Sequence, residues 1–100
     1  MNTLKDSELK RLPELISIVK MENEFQITKW GIQEVTPFEW MTYLTEEIGE
    51  LAKAISEYEY RDGSCDDIIK EGIQIATLSL KIVEMYINHA DKKGDLSPSN

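Results

Sequence analysis

One hundred residues with 41% hydrophobic and 30% charged side chains are sized and balanced for a single globular domain with one modest core. That balance excludes wholesale disorder. Nineteen acidic against eleven basic residues give a net charge of −8, which argues against binding a nucleic-acid polymer, since that affinity comes from Lys and Arg neutralising phosphates.

A phosphorylated ligand on so acidic a chain calls for a mediating metal cation. Cys65 is the single cysteine, so no intrachain disulfide forms and a reducing compartment fits. The first residues do not read as a basic-then-apolar signal segment, and no apolar run approaches the ~20 residues of a membrane span. The expectation is a soluble, cytoplasmic, membrane-free domain over residues 1–90, with 91–100 as a polar flexible tail carrying Gly94 and Pro98.

In chain order, a short extra helix is allowed before Pro13. The first main helix opens near Pro13, whose missing N–H costs nothing in a first turn, and runs to Trp30 with Gly31 as its stop. TPFE at 36–39 marks the second helix: Thr36 as N-cap, Pro37 at the first helical position and Glu39 closing a capping box. Its apolar stripe, Met41, Leu44, Ile48, Leu51 and Ile55, continues to about Tyr58. RDGS at 61–64 is a turn, and Ser64 caps a third helix reaching about His89. Within that helix, IQIATLSLKI alternates like a half-buried strand. Its length, its cap and the lack of a second strand candidate favour helix.

At about 100° per residue, the third helix carries two apolar stripes. One is Ile69, Ile73, Ala76, Leu80, Val83 and Ile87; the other, roughly opposite, is Ile75, Leu78, Ile82 and Met85. Lys70, Thr77, Lys81, Glu84 and Asn88 gather between them. A helix with two apolar faces must bury both, so a homodimer or homotetramer with this helix at the interface is expected.

Polar residues interrupt each stripe. Glu46, Glu47 and Glu50 fall on an arc of roughly 100° flanking the second helix's stripe, Glu47 about 60° from its centre, with none aimed squarely into the core. Glu71 and Gln74 break the second face of the third helix. Glu22 and Gln26 continue the row of Leu12, Leu15 and Val19 before Trp30, a core face that turns polar and so implies a cavity. Crowded carboxylates repel, and burying them is costly without a positive partner. A hard cation such as Mg²⁺, taking oxygen ligands near ~2.1 Å, relieves that repulsion. One histidine and no cysteine pair make a structural zinc site a poor fit.

EEIGE at 46–50, followed by a Glu-x-x-Asp-like element, resembles the all-α nucleoside triphosphate pyrophosphohydrolases of the MazG type. KWG at 29–31, PFEW at 37–40, EEIGELAKAI at 46–55 and KEGIQIA at 70–76 are similar, in order and spacing, to the small phage- and cassette-type MazG-like proteins. The similarity spans about 19–86. One departure is Gln74, where most of that family has Asp; it is read as a variant, since an amide oxygen still ligates Mg²⁺, but without charge.

The resemblance implies hydrolysis of a (d)NTP, with deoxy or aberrant substrates typical, to the monophosphate and pyrophosphate, in a house-cleaning or nucleotide-pool role. It further implies Mg²⁺, with Mn²⁺ as a substitute, held by Glu46, Glu47, Glu50 and Glu71 with Gln74 assisting. Glu46 or Glu47 would orient or deprotonate the attacking water. By position, Lys29, Lys53 and Arg61 are candidates for gripping phosphate, Trp30 for stacking on the base, and Gln26 or Glu22 for reading its edge. The alternative is a catalytically weak helical module that senses nucleotides or binds a partner.

Overall fold

Three α-helices make up the fold of residues 1–94, the part of the chain described by the computed structural model: α1 (Leu12–Trp30), α2 (Pro37–Tyr60) and α3 (Cys65–Lys93). No strand occurs among the described residues, so the segment with strand-like alternation is helical and the class is all-α.

Local chemistry sets the helix ends. The Thr36 hydroxyl accepts from the Glu39 N–H at 3.2 Å, and Glu39 accepts from the Thr36 N–H at 3.3 Å, completing the capping box. Ser64 Oγ accepts from the Asp67 N–H at 3.3 Å. α1 ends at Gly31, whose φ of 75° suits a residue without Cβ. Between α2 and α3, Gly63 donates to the Glu57 carbonyl at 3.1 Å. A Cβ there would sit 2.7 Å from the Tyr58 nitrogen, so only glycine fits.

α3 runs past His89 into the stretch read as tail, to Lys93. Lys92 and Lys93 favour the negative end of its dipole, and Gly94 closes it in the left-handed conformation. The remaining tail residues, 95–100, lie outside the described residues.

No extra helix precedes α1. Asp6 Oδ1 accepts from the Ser7 N–H at 2.7 Å and Ser7 Oγ from the Leu9 N–H at 3.0 Å, side-chain bonds that compete with a helical ladder. Asn2 binds Glu59 instead, its side-chain N–H donating at 2.8 Å, which ties the first residues to the end of α2.

α3 is the central element. It packs against both α1 and α2, which line a shared cleft instead of packing on each other. The one deeply buried apolar side chain among the described residues is Leu78, 8% exposed, beside Thr77 at 1%. Thr77 tolerates this because its hydroxyl donates back to the Ile73 carbonyl at 2.7 Å. The radius of gyration is 16.1 Å, well above the ~13 Å of a compact domain of this length.

One stripe phase differs from expectation. On α2 the half-buried row is Leu44, Glu47, Leu51 and Ala54, while Ile48 is 49% exposed. The stripe is therefore rotated so that Glu47 belongs to the face packed on α3. On α3 the stripe of Ile75, Leu78, Ile82 and Met85 turns inward, as do Thr77 and Lys81, because α1 covers their side. The other stripe stays open at Ile69, Leu80, Val83 and Ile87, with Val83 54% exposed. No helix among the described residues is long and apolar enough to cross a membrane.

Candidate functional site

Glu47 of α2 and Glu71 and Gln74 of α3 meet at the centre of the helix pair. Gln74 is satisfied only with its amide nitrogen toward the acids, donating to Glu47 Oε2 at 2.7 Å and to Glu71 Oε2 at 3.0 Å. The Glu47 carboxyl lies above its ordinary value: burial disfavours its charge, its hydrogen bond with Glu71 and the Glu71 charge add to that, and Glu50 and Glu22 contribute further repulsion. Glu22 of α1 in turn accepts from Gln26 Nε2 at 2.7 Å. On its other side Gln26 Oε1 accepts from Lys81 Nζ of α3 at 3.4 Å. A polar chain thus runs from Lys81 through Gln26 to Glu22, close to the acids of α2 and α3.

These groups stand beside a cleft of about 1000 Å³, lined among others by Glu22, Gln26, Glu46, Glu47, Gln74 and Lys81, and by Trp30, Trp40, Tyr43 and His89. Small-molecule sites occupy ~300–1,000 Å³, so the cleft has room for a nucleotide. The cavity expected from the polar end of α1 is therefore present, and Glu22 and Gln26 line it. Glu46 and Glu47 line it too. Glu50 lies on the exposed side of α2, near enough to Glu47 to repel it. Glu71 reaches the cluster through Glu47 and Gln74.

The described residues include no group of three or more acidic, His or Cys side chains placed to hold a metal ion. Glu47 and Glu71, with no protein cation bonded to them among the described residues, are oxygen donors of the kind a hard divalent ion takes, while Gln74 presents its amide nitrogen to them. The positions unite Glu47, Glu71 and Gln74 and leave Glu46 and Glu50 apart from them.

The cationic candidates divide. Lys29 lines the cleft but lies over the Trp30 ring, 4.6 Å from its centroid, and 5.9 Å from that of Phe25. One face of the Trp30 ring is thus covered by Lys29, while the side chain as a whole is 52% exposed. Lys53 and Arg61 are exposed and do not line the cleft. Arg61 caps the C-terminus of α2, its N–H donating to the Glu57 carbonyl at 2.9 Å.

Lys81, Asn23 and His89 face the cleft without having been singled out from the sequence. Asn23 Oδ1 is buried and accepts no hydrogen bond from the protein. The available signal was the polar strip of Thr77, Lys81 and Asn88 on a helix already apolar on two sides, which left that strip facing either solvent or α1.

Compared with known proteins, the chain matches no family model, and no curated protein or solved structure matches it significantly.

Proposed function

We propose that the protein hydrolyses nucleoside triphosphates, with (d)NTP and water giving (d)NMP and pyrophosphate, in a Mg²⁺-dependent reaction that Mn²⁺ also supports. The observation that carries this reading is the half-buried Glu47–Glu71–Gln74 cluster beside a nucleotide-sized cleft, repelled further by Glu50 and Glu22. Such a cluster is costly on its own and is relieved by a cation that also neutralises phosphate oxygens. The similarity of the EEIGE and KEGIQIA motifs to MazG-type pyrophosphohydrolases supports the same chemistry.

In this reading Glu47 and Glu71 would hold the cation, Glu46 and Glu50, which stand apart in this arrangement, would join it only by swinging in from the exposed side of α2, and Gln74 would turn its amide oxygen toward it. When bound, the cation supplies charge neutralisation and a polarised water. Glu46 or Glu47 would orient the attacking water and take its proton. Trp30 packs against the base once Lys29 moves aside, and Gln26 and Glu22 meet polar groups of the ligand.

The working unit is a homo-oligomer. Ile69, Leu80, Val83 and Ile87 leave an apolar row on α3, and the protomer buries almost no apolar side chain by itself. Covering that row with a second copy supplies the missing core.

One observation favours a second reading. Gln74 already bonds both Glu47 and Glu71, so the acids are partly satisfied without a cation, as suits a nucleotide-sensing module with little turnover. Incubation with a panel of NTPs and dNTPs, in Mg²⁺ or EDTA, with products resolved by ion exchange, separates the two. Monophosphate and pyrophosphate only with metal support the enzyme. Nucleotide-induced thermal stabilisation without product supports the module, and diphosphate with orthophosphate refutes the bond assignment.

A further inference from the structure

Lys81 sits oddly for a lysine. It lies well inside α3, more than three turns from either end, half-buried, on the side that packs against α1, and lines the cleft beside the acid cluster. A lysine in a protein interior is expected to meet a carboxylate, because an unpaired buried charge is costly. The ion pairs among the described residues are Lys10 with Glu8 and Arg11 with Glu14, both on the surface, and Lys81 is in neither. Its one protein partner is the neutral Gln26 oxygen at a long 3.4 Å.

Glu22 is close enough to favour the charged form of Lys81, but it spends a carboxylate oxygen on Gln26 Nε2 at 2.7 Å. Burial outweighs that help and makes the ammonium give up its proton more readily than an exposed lysine. The other cation lining the cleft, Lys29, is engaged with the Trp30 ring. The cleft therefore holds a partly desolvated ammonium with two of its three N–H donors uncommitted to protein, lining the same cleft as Glu46 and Glu47.

We infer that Lys81 grips the polyphosphate chain of the ligand by direct contact between its ammonium and phosphate oxygens. The role expected of Lys53 and Arg61 passes to a residue that actually faces the cleft. This assignment rests on the nucleotide reading above. It deepens that reading by naming the recognised chemistry: the anionic chain, apart from base or sugar.

Isothermal titration in Mg²⁺ of the wild-type protein, Lys81→Met and Lys81→Arg tests this with three probes: inorganic tripolyphosphate, a non-hydrolysable dNTP and the parent deoxynucleoside. Met keeps the stem and removes the charge, and loses about tenfold to a hundredfold in affinity for tripolyphosphate and the dNTP, the scale of one charge-assisted contact. Arg stays within a few-fold of wild type, and binding of the deoxynucleoside is unchanged in both. Because the ammonium is not needed to hold the fold, Lys81→Met melts at or above the wild-type temperature.

Unchanged tripolyphosphate affinity in Lys81→Met overturns the assignment while leaving the nucleotide reading intact. A lower melting temperature with parallel loss of all three probes gives Lys81 a structural role and overturns it too. If the wild-type protein binds neither tripolyphosphate nor the dNTP, the nucleotide reading fails and the assignment falls with it.

Discussion

Replacing Glu47 with Gln should make the metal-free protein more stable. Glu47 meets Glu71 of α3 and has Glu50 one turn along α2, with Glu22 nearby. A like-charge pair one helical turn apart costs ~0.2–0.5 kcal/mol, and unit charges 4 Å apart cost about 1 kcal/mol even at the dielectric of water. Allowing for an imperfect replacement of its hydrogen bonds, Glu47→Gln should gain on the order of 1 kcal/mol, or about 4–8 °C in melting temperature for a domain of this size.

The pH dependence follows from the same cause. The folded protein holds the Glu47 proton more tightly than the unfolded chain does, so this group favours folding at low pH. That advantage is lost as pH rises from the ordinary carboxylate value of 4.5 through the raised folded value. Metal-free wild-type protein should lose melting temperature across that window, and Glu47→Gln should lose less.

Mg²⁺ at a hundredfold over its dissociation constant adds ~2.7 kcal/mol to the wild type, a rise of about 10 °C or more. The variant should gain little. Circular dichroism melts at matched ionic strength, in EDTA and across a Mg²⁺ series, measure all three effects. A Glu47→Gln protein that melts lower than wild type in EDTA, or that gains as much from Mg²⁺, would refute the reasoning.

Three further outcomes are expected. Gly63→Ala forces a Cβ against the Tyr58 and Glu57 backbone and should cost ~1–3 kcal/mol, read as a lower urea midpoint with an unchanged m-value. Val83→Glu places a charge on the open row of α3 and should convert the oligomer to a smaller species by light scattering, with helical content retained; a protein that is monomeric before the change would contradict the interface. Gln74→Asp exchanges the amide that donates to Glu47 and Glu71 for another like charge, so it should melt lower by roughly 1 kcal/mol in EDTA and gain more than wild type from Mg²⁺ by the same melts.

Much of the fold was legible because its signals are local. Thr36, Pro37 and Glu39 specify the start of α2 by chemistry within one turn, and Ser64 does the same for α3. The cavity was legible because Glu22 and Gln26 stand in a row that had been apolar. What escaped is tertiary. Glu47 read as flanking the α2 stripe, but α3 selects a face rotated toward it, since an acid that bonds Gln74 and Glu71 can enter a contact that Ile48 leaves for the surface. Lys81 read as part of a polar strip, and only the placement of α1 turns that strip inward. Lys53 and Arg61 are near the acids in sequence, but neither Lys53 on α2 nor Arg61 at its C-cap lines the cleft. The end of α3 ran beyond expectation because Lys92 and Lys93 suit a last helical turn as well as they suit a tail.

The central claim is that a divalent cation belongs among the carboxylates of α2 and α3. Crystals grown with Mn²⁺ and a dNTP analogue blocked between its α- and β-phosphates would locate the ion by its anomalous signal. The account predicts a peak at ligand distance from Glu47 and Glu71, with a phosphate oxygen of the analogue completing its shell. A clear nucleotide in the cleft with no ion at those acids, Gln74 still donating to both, would contradict it.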